Sequence, residues 1–101
     1  MEKEYGNYYL GCQYDARQSF YKKAKVETIE DDLNYDELLY SYGTLVAIYS
    51  KDKIGNKEHF TYCGKFSQTT TRHQKEFFKQ HDLSDKDIKE LFKTGVLVKE
   101  F

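Results

Sequence analysis

The sequence predicts an α+β domain in which an antiparallel sheet of about four strands packs against one or two C-terminal helices. Between Phe20 and Cys63 the side chains alternate between apolar and polar in several short runs, which is the period of β-strands. After Gly64 the apolar residues recur at helical spacing instead. The chain of 101 residues has no proline, repeat or low-complexity tract, so a single domain over 1–101 is predicted.

The first strand is predicted over 20–29, where the run KAKVET alternates charged side chains with smaller, more apolar ones. Residues 1–16 hold four tyrosines but no sustained period, and they are predicted to form an N-terminal arm that lies across the domain.

Three more strands follow at short intervals, separated by segments rich in turn residues. They are predicted at 37–42, 44–49 and 59–63, with turns at 30–36 and 51–56. The run TLVAIY at 44–49 is apolar on both faces, which is typical of a central strand that a helix covers.

Two helices and a short last strand complete the prediction. Thr71 with Gln74 has the spacing of a capping box for a first helix that ends near His81. Ser84 is a favourable N-cap for a second helix, and Gly95 is placed to end it. The residues VLV that follow predict a short strand.

The composition favours a binding protein without a strong global charge. Ten tyrosines and seven phenylalanines exceed what one small core can bury, so several tyrosines are expected at the surface, where they contact protein or nucleic acid well. The net charge of -1 gives no general attraction to nucleic acid or membranes. Six carboxylates between Glu27 and Glu37 could mimic phosphates, but a solvated loop is the favoured interpretation, because charges in a flexible turn are easily hydrated.

The cytoplasm is the expected location. Cys12 and Cys63 are too few for a disulfide framework and have no CxxC spacing, which favours a reducing compartment. No apolar run approaches the ~20 residues of a membrane span, and no leader pattern is apparent, so neither insertion nor secretion is expected.

A basic stripe is predicted on the first helix. Arg72, Lys75 and Lys79 fall at i, i+3 and i+7 on one face, beside Thr70 near the N-terminus. These groups could hold a phosphate or carboxylate, because amides at a helix N-terminus are unpaired. The alternative is a solvated helix face with capping threonines.

Tyrosines of the predicted sheet supply the second half of a nucleic-acid hypothesis. Rings such as Tyr40, Tyr42 and Tyr62 would stack on bases while the basic stripe holds phosphates. The sequence therefore keeps a small RNA-binding or single-stranded-DNA-binding protein as the alternative function.

Neither catalysis nor a metal site is predicted. No catalytic motif is present, so the protein is expected not to be an enzyme and to need no cofactor. Cys63, His73 and His81 do not have the spacing of zinc ligands. His73 precedes Phe77 by one helical turn, and it is predicted to pack against the sheet.

Three motifs carry a resemblance to a known family: SFYKKAKV at 19–26, LYSYGTLVA at 39–47 and TTTRHQKEFFKQH at 69–81. In this order and spacing the chain resembles a family of short uncharacterised proteins from phages and mobile elements of Firmicutes. The positions that match are Tyr21, Ala24, Tyr40, Tyr42, Thr44, Val46, Ala47, Thr70, Arg72, His73 and Phe77. Two features depart from the family pattern, namely Lys22 in place of the usual glycine and a longer acidic turn at 30–36.

The resemblance implies no activity, but it bears on the biological role. Small accessory proteins of phages often act by binding a host component in the host cytoplasm. The first functional hypothesis is therefore a protein that binds and modulates a host protein, including an anti-CRISPR-like inhibitor of a defence system.

Overall fold

Six antiparallel strands form one sheet in which every strand lies beside the next one along the chain. The computed structural model describes residues 2–100. Its strands are β1 (Glu4–Tyr9), β2 (Ala24–Glu30), β3 (Asn34–Ser41), β4 (Thr44–Asp52), β5 (Lys57–Tyr62) and β6 (Val96–Glu100). Two helices, α1 (Gln68–Gln80) and α2 (Asp85–Thr94), lie between β5 and β6 in sequence. The predicted α+β class is confirmed, while the sheet has more strands than the predicted four.

The predicted N-terminal arm is the main difference, because Glu4–Tyr9 forms a full strand paired with β2. All six of its side chains are exposed, so an alternating pattern is missing from the sequence. The first predicted strand also begins later than expected. Residues 20–23 form a tight turn, in which the amide of Lys23 donates to the carbonyl of Phe20 over 3.0 Å.

A β-bulge explains part of the apolar run at 44–49, where two consecutive side chains are buried on the same face. The register between β3 and β4 shifts after Leu39, which pairs with Ala47, so that Tyr40 pairs with Leu45. The extra residue on β4 is Val46, and both Val46 and Ala47 are buried. An extra residue in one strand of an antiparallel pair turns a second side chain inward in this way.

The helix termini confirm one predicted cap and correct another. Ser84 caps α2 in a reciprocal capping box with Asp87, and Gly95 ends that helix with a φ of 88°. For α1 the cap is Ser67, whose hydroxyl accepts from the amide of Thr70. The predicted capping box of Thr71 and Gln74 is wrong, because Gln74 is buried and its side chain bonds to the sheet.

The core lies between the sheet and the two helices. Phe77 and Phe78 of α1 and Leu91 of α2 are almost fully buried against inward-facing side chains of the sheet such as Leu39 and Phe60. Successive residues of a strand point to opposite faces. Both helices pack on this one face, so within residues 2–100 the other face of the sheet carries no helix, and we call it the open face.

Candidate functional site

The predicted basic stripe lies along one side of α1, where two of its three cations have acidic neighbours. Arg72 Nη1 is 3.6 Å from Asp15 Oδ1, and Lys79 Nζ is 3.4 Å from Asp85 Oδ1. Lys75 has no carboxylate partner within the described part of the chain. The stripe thus packs beside the segment 14–16 and is only partly free to bind an external anion.

Thr70, the hydroxyl predicted to support that stripe, faces the interior instead. The residue is buried, and its Oγ1 lies 2.9 Å from Ser41 Oγ and 3.2 Å from Ser67 Oγ. These contacts tie the first turn of α1 to the end of β3. They do not direct the hydroxyl toward solvent at the helix N-terminus.

The structure brings two of the three predicted tyrosines together. Tyr40 lies on the open face and Tyr42 in the turn after β3, and both line one groove. Tyr62 points to the covered face, where its ring stacks on Phe92 of α2 with centroids 4.2 Å apart. The groove is therefore separate from Tyr62 and from the basic stripe.

This tyrosine–lysine groove lies at one end of the open face and has a volume of about 590 Å³. Its lining consists of Tyr9, Lys22, Lys23, Lys25, Glu27, Tyr40, Tyr42 and Gly43. Lys22 Nζ lies 5.7 Å from the centroid of the Tyr9 ring, within the range of a cation–π contact. Lys25 Nζ is 4.0 Å from Glu27 Oε1, whereas Lys22 and Lys23 have no carboxylate partner among residues 2–100.

The backbone around the groove adopts conformations that residues other than glycine rarely adopt. Tyr21, Lys22 and Tyr42 have φ values of 51°, 62° and 51°. The left-handed region costs a residue with a Cβ roughly 1–2 kcal/mol. Such strain is concentrated at functional sites, and here it sets the direction in which the Lys22 and Tyr42 side chains leave the chain.

The centre and far end of the open face are apolar. We call this surface the apolar band; it consists of Ile29, Leu38, Leu45, Ile48, Val96 and Val98, whose positions follow from the strand register. Val96 and Val98 are 62% and 50% exposed on the edge strand β6. Polar side chains such as Asp36 and His59 lie between them on the same face.

A polar cluster is buried between β3 and the end of α1. Glu37 Oε1 lies 2.7 Å from His81 Nε2, and Glu37 Oε2 accepts a hydrogen bond from the Tyr35 hydroxyl. Burial alone would raise the pKa of Glu37, but the hydrogen bonds from His81 and Tyr35 lower it overall. Desolvation, followed by the charge of Glu37, raises the pKa of Tyr8 to about 12.

His73 and Ser41 form a second buried pair. Nδ1 of His73 lies 2.7 Å from Ser41 Oγ, while Nε2 is buried without a hydrogen-bond partner. Burial lowers the pKa of His73, so the ring is neutral at pH 7. A hydroxyl beside an imidazole can form a nucleophile and its base, but this pair is closed to substrate. The prediction that His73 packs against the sheet is confirmed.

Residues 2–100 contain no group of three or more histidine, cysteine, aspartate or glutamate side chains arranged to hold a metal ion. None of the helices in that range is long and apolar enough to cross a membrane.

A family model was matched to the chain over residues 8–94. It describes a family of unknown function, DUF8033. The chain belongs to this family. No curated protein and no solved structure matches the chain. The expectation of an uncharacterised family is thus confirmed, and the DUF8033 match includes β2–β5, both helices and the whole tyrosine–lysine groove.

Several residues of these sites were not predicted from the sequence. Tyr9 lies in the segment that lacks a period, and Lys22 and Lys23 lie in a turn that was predicted as strand. Glu37 and His81 are 44 positions apart, so no local sequence pattern indicates that they are in contact. One available signal was Lys22, a side chain that stands where the resembling family has glycine.

Proposed function

We propose that this protein binds and modulates a host protein through the apolar band on its open face. The observation that carries the proposal is a six-stranded sheet with helices on one face and apolar side chains left on the other. Transfer of apolar surface out of water contributes roughly 25 cal/mol per Å², so such a face gains free energy when a partner covers it.

The chemistry of the face favours a protein as the partner. Protein interfaces combine an apolar centre with a polar rim and are enriched in tyrosine. The band supplies apolar side chains, and Tyr5, at 73% exposure on the neighbouring edge strand β1, supplies a tyrosine beside them. Charges of both signs, including Glu27 and Lys57, lie near it, which does not favour a polyanion across the whole face.

The biological role follows from the resemblance to short proteins of phages and mobile elements. An accessory protein of this size acts most simply by covering a working surface of a host enzyme. We therefore propose an inhibitor in the host cytoplasm, with a defence nuclease, as for anti-CRISPR proteins, as the leading class of target.

The experiment is an affinity capture from nuclease-treated host lysate with three forms of the protein. The wild type is compared with Val96→Lys plus Val98→Lys in the band, and with Ile54→Lys as a matched control. Ile54 is 76% exposed in a loop outside the band. A host protein retained by the wild type and the control but lost with the band variant supports the proposal, provided that circular dichroism shows all three folded.

Two results contradict this function. One is equal capture of the same protein by the folded band variant. The other is capture of no host protein by the wild type. Where a target is captured, its activity is then assayed with and without the protein, and unchanged activity contradicts the inhibitory role.

A further inference from the structure

We infer that the tyrosine–lysine groove binds a short segment of single-stranded nucleic acid. The inference is separate from the apolar band and does not depend on protein docking. It moves nucleic-acid recognition away from the basic stripe of α1 to the opposite side of the sheet.

The cations of the groove favour an anionic ligand. Lys22, Lys23 and Lys25 face one carboxylate, Glu27, whose distance from Lys25 is 4.0 Å. The ammonium groups of Lys22 and Lys23 have no ion-pair partner in the part of the chain that the structure describes. Two free charges can therefore contact phosphates without first breaking an internal ion pair, in contrast to Arg72 and Lys79.

The rings of the groove favour a ligand with flat faces. Tyr9 and Tyr42 are 52% and 59% exposed. Tyr40 lines the same groove, and the strand register places Lys25 between Tyr9 and Tyr40. Nucleic-acid bases stack on exposed aromatic rings, and sequence-tolerant single-strand binders combine such rings with cations along the backbone. Phosphate alone would use only the lysines, whereas a single strand would use both kinds of side chain.

A single strand fits better than a duplex. Bases in a duplex are stacked on one another and closed to side chains from outside, whereas unpaired bases can turn toward protein rings. The groove has about 590 Å³ and lies open at the end of the sheet, so a strand can enter and leave along it. The strained turn at Tyr21 and Lys22 holds a cation over the Tyr9 ring at its margin.

Fluorescence anisotropy with labelled poly-U and poly-dT oligonucleotides tests the inference, at several salt concentrations and with a labelled duplex beside them. Lys22→Gln plus Lys23→Gln is compared with Lys86→Gln plus Lys89→Gln, two exposed lysines of α2. We expect the groove variant to lose at least about tenfold in affinity. The slope of log affinity against log salt should fall by roughly 0.7 for each phosphate contact removed.

A ring variant separates stacking from charge. Tyr42→Ala should weaken binding while leaving the salt slope unchanged, because it removes no cation. The inference is overturned if the wild type binds no single strand, if the duplex binds more tightly, or if the α2 control loses as much affinity as the groove variant. It is also overturned if Tyr42→Ala has no effect.

The outcome is distinguishable from that of the protein-docking experiment. Val96→Lys plus Val98→Lys lies at the other end of the open face and should keep full oligonucleotide affinity. Loss of binding in that variant would contradict a separate groove, whatever the lysate capture shows.

Discussion

Glu37 on β3 and His81, the C-cap residue of α1, are joined by a 2.7 Å contact between Oε1 and Nε2. The His81 ring also stacks on Tyr49 of β4 with centroids 3.8 Å apart. The end of the helix is thus held to two central strands, to β3 through the Glu37 carboxylate and to β4 through the His81 ring. Protonation of Glu37 should therefore lower the free energy of unfolding of the whole domain.

We predict that acid destabilises the protein through Glu37. Its pKa is below the ordinary value of 4.5, so its contribution is complete above pH 4.5 and is lost as pH falls through the lowered pKa. Glu37→Gln should cost about 2 kcal/mol at pH 7 and flatten this part of the profile. Urea unfolding from pH 3 to pH 7 measures both effects. Glu90→Gln, an exposed control, should show neither, and an unchanged profile in Glu37→Gln would contradict the prediction.

His73 should give a second pH dependence, at higher pH. Burial lowers its pKa from 6.5, so the unfolded state binds a proton first and stability declines as pH falls below 6.5. The slope for one proton is at most about 1.4 kcal/mol per pH unit. His73→Gln should remove this slope in chemical unfolding experiments between about pH 5 and 7. A mutant curve parallel to the wild-type curve in that window would show that another group is responsible.

Gln74 should stabilise the junction between α1 and the sheet. Its Nε2 donates to the carbonyls of Val46 and Gly64, each at 3.0 Å. Gln74→Ala should leave these carbonyls without that donor and lower the free energy of unfolding by about 1–3 kcal/mol. Gln68→Ala, which changes an exposed side chain of the same helix, should cost less. Equal losses in thermal unfolding would argue against this role.

Lys22 should be replaceable by glycine with a gain in stability. A φ of 62° is strained for any residue that has a Cβ, and glycine removes that conformational cost. We expect a gain of up to about 1 kcal/mol for Lys22→Gly in urea unfolding. Lys23→Gly is the control and should destabilise, because Lys23 is not among the residues with positive φ. Destabilisation by both changes would mean that the turn is not strained.

The predictable part of the fold depends on strands that bury one face. β2 to β5 and both helices were predicted because their buried side chains recur at the period of the element. β1 was missed because it is an edge strand whose side chains are all exposed. The cap of α1 was misplaced because Gln74 fits a local capping pattern but is held by carbonyls distant in sequence.

The candidate sites were less predictable, since each is assembled from separate segments. Tyr40 and Tyr42 were singled out by their motif, but their partner Tyr9 reaches the groove only through the pairing of β1 with β2. The stripe of Arg72 and Lys79 was correctly placed on one helix face. Its acidic neighbours, Asp15 and Asp85, could not be deduced from helical spacing alone.

The order of the strands has a consequence for how the chain folds. From β2 to β5 each strand pairs with its immediate successor across a short turn, so closing these loops costs little chain entropy. Only β6 must wait for the segment 63–95, which carries both helices, before it can pair with β5. These strands can therefore form one hairpin at a time, and we expect the docking of the helices together with β6 to be the last step of folding.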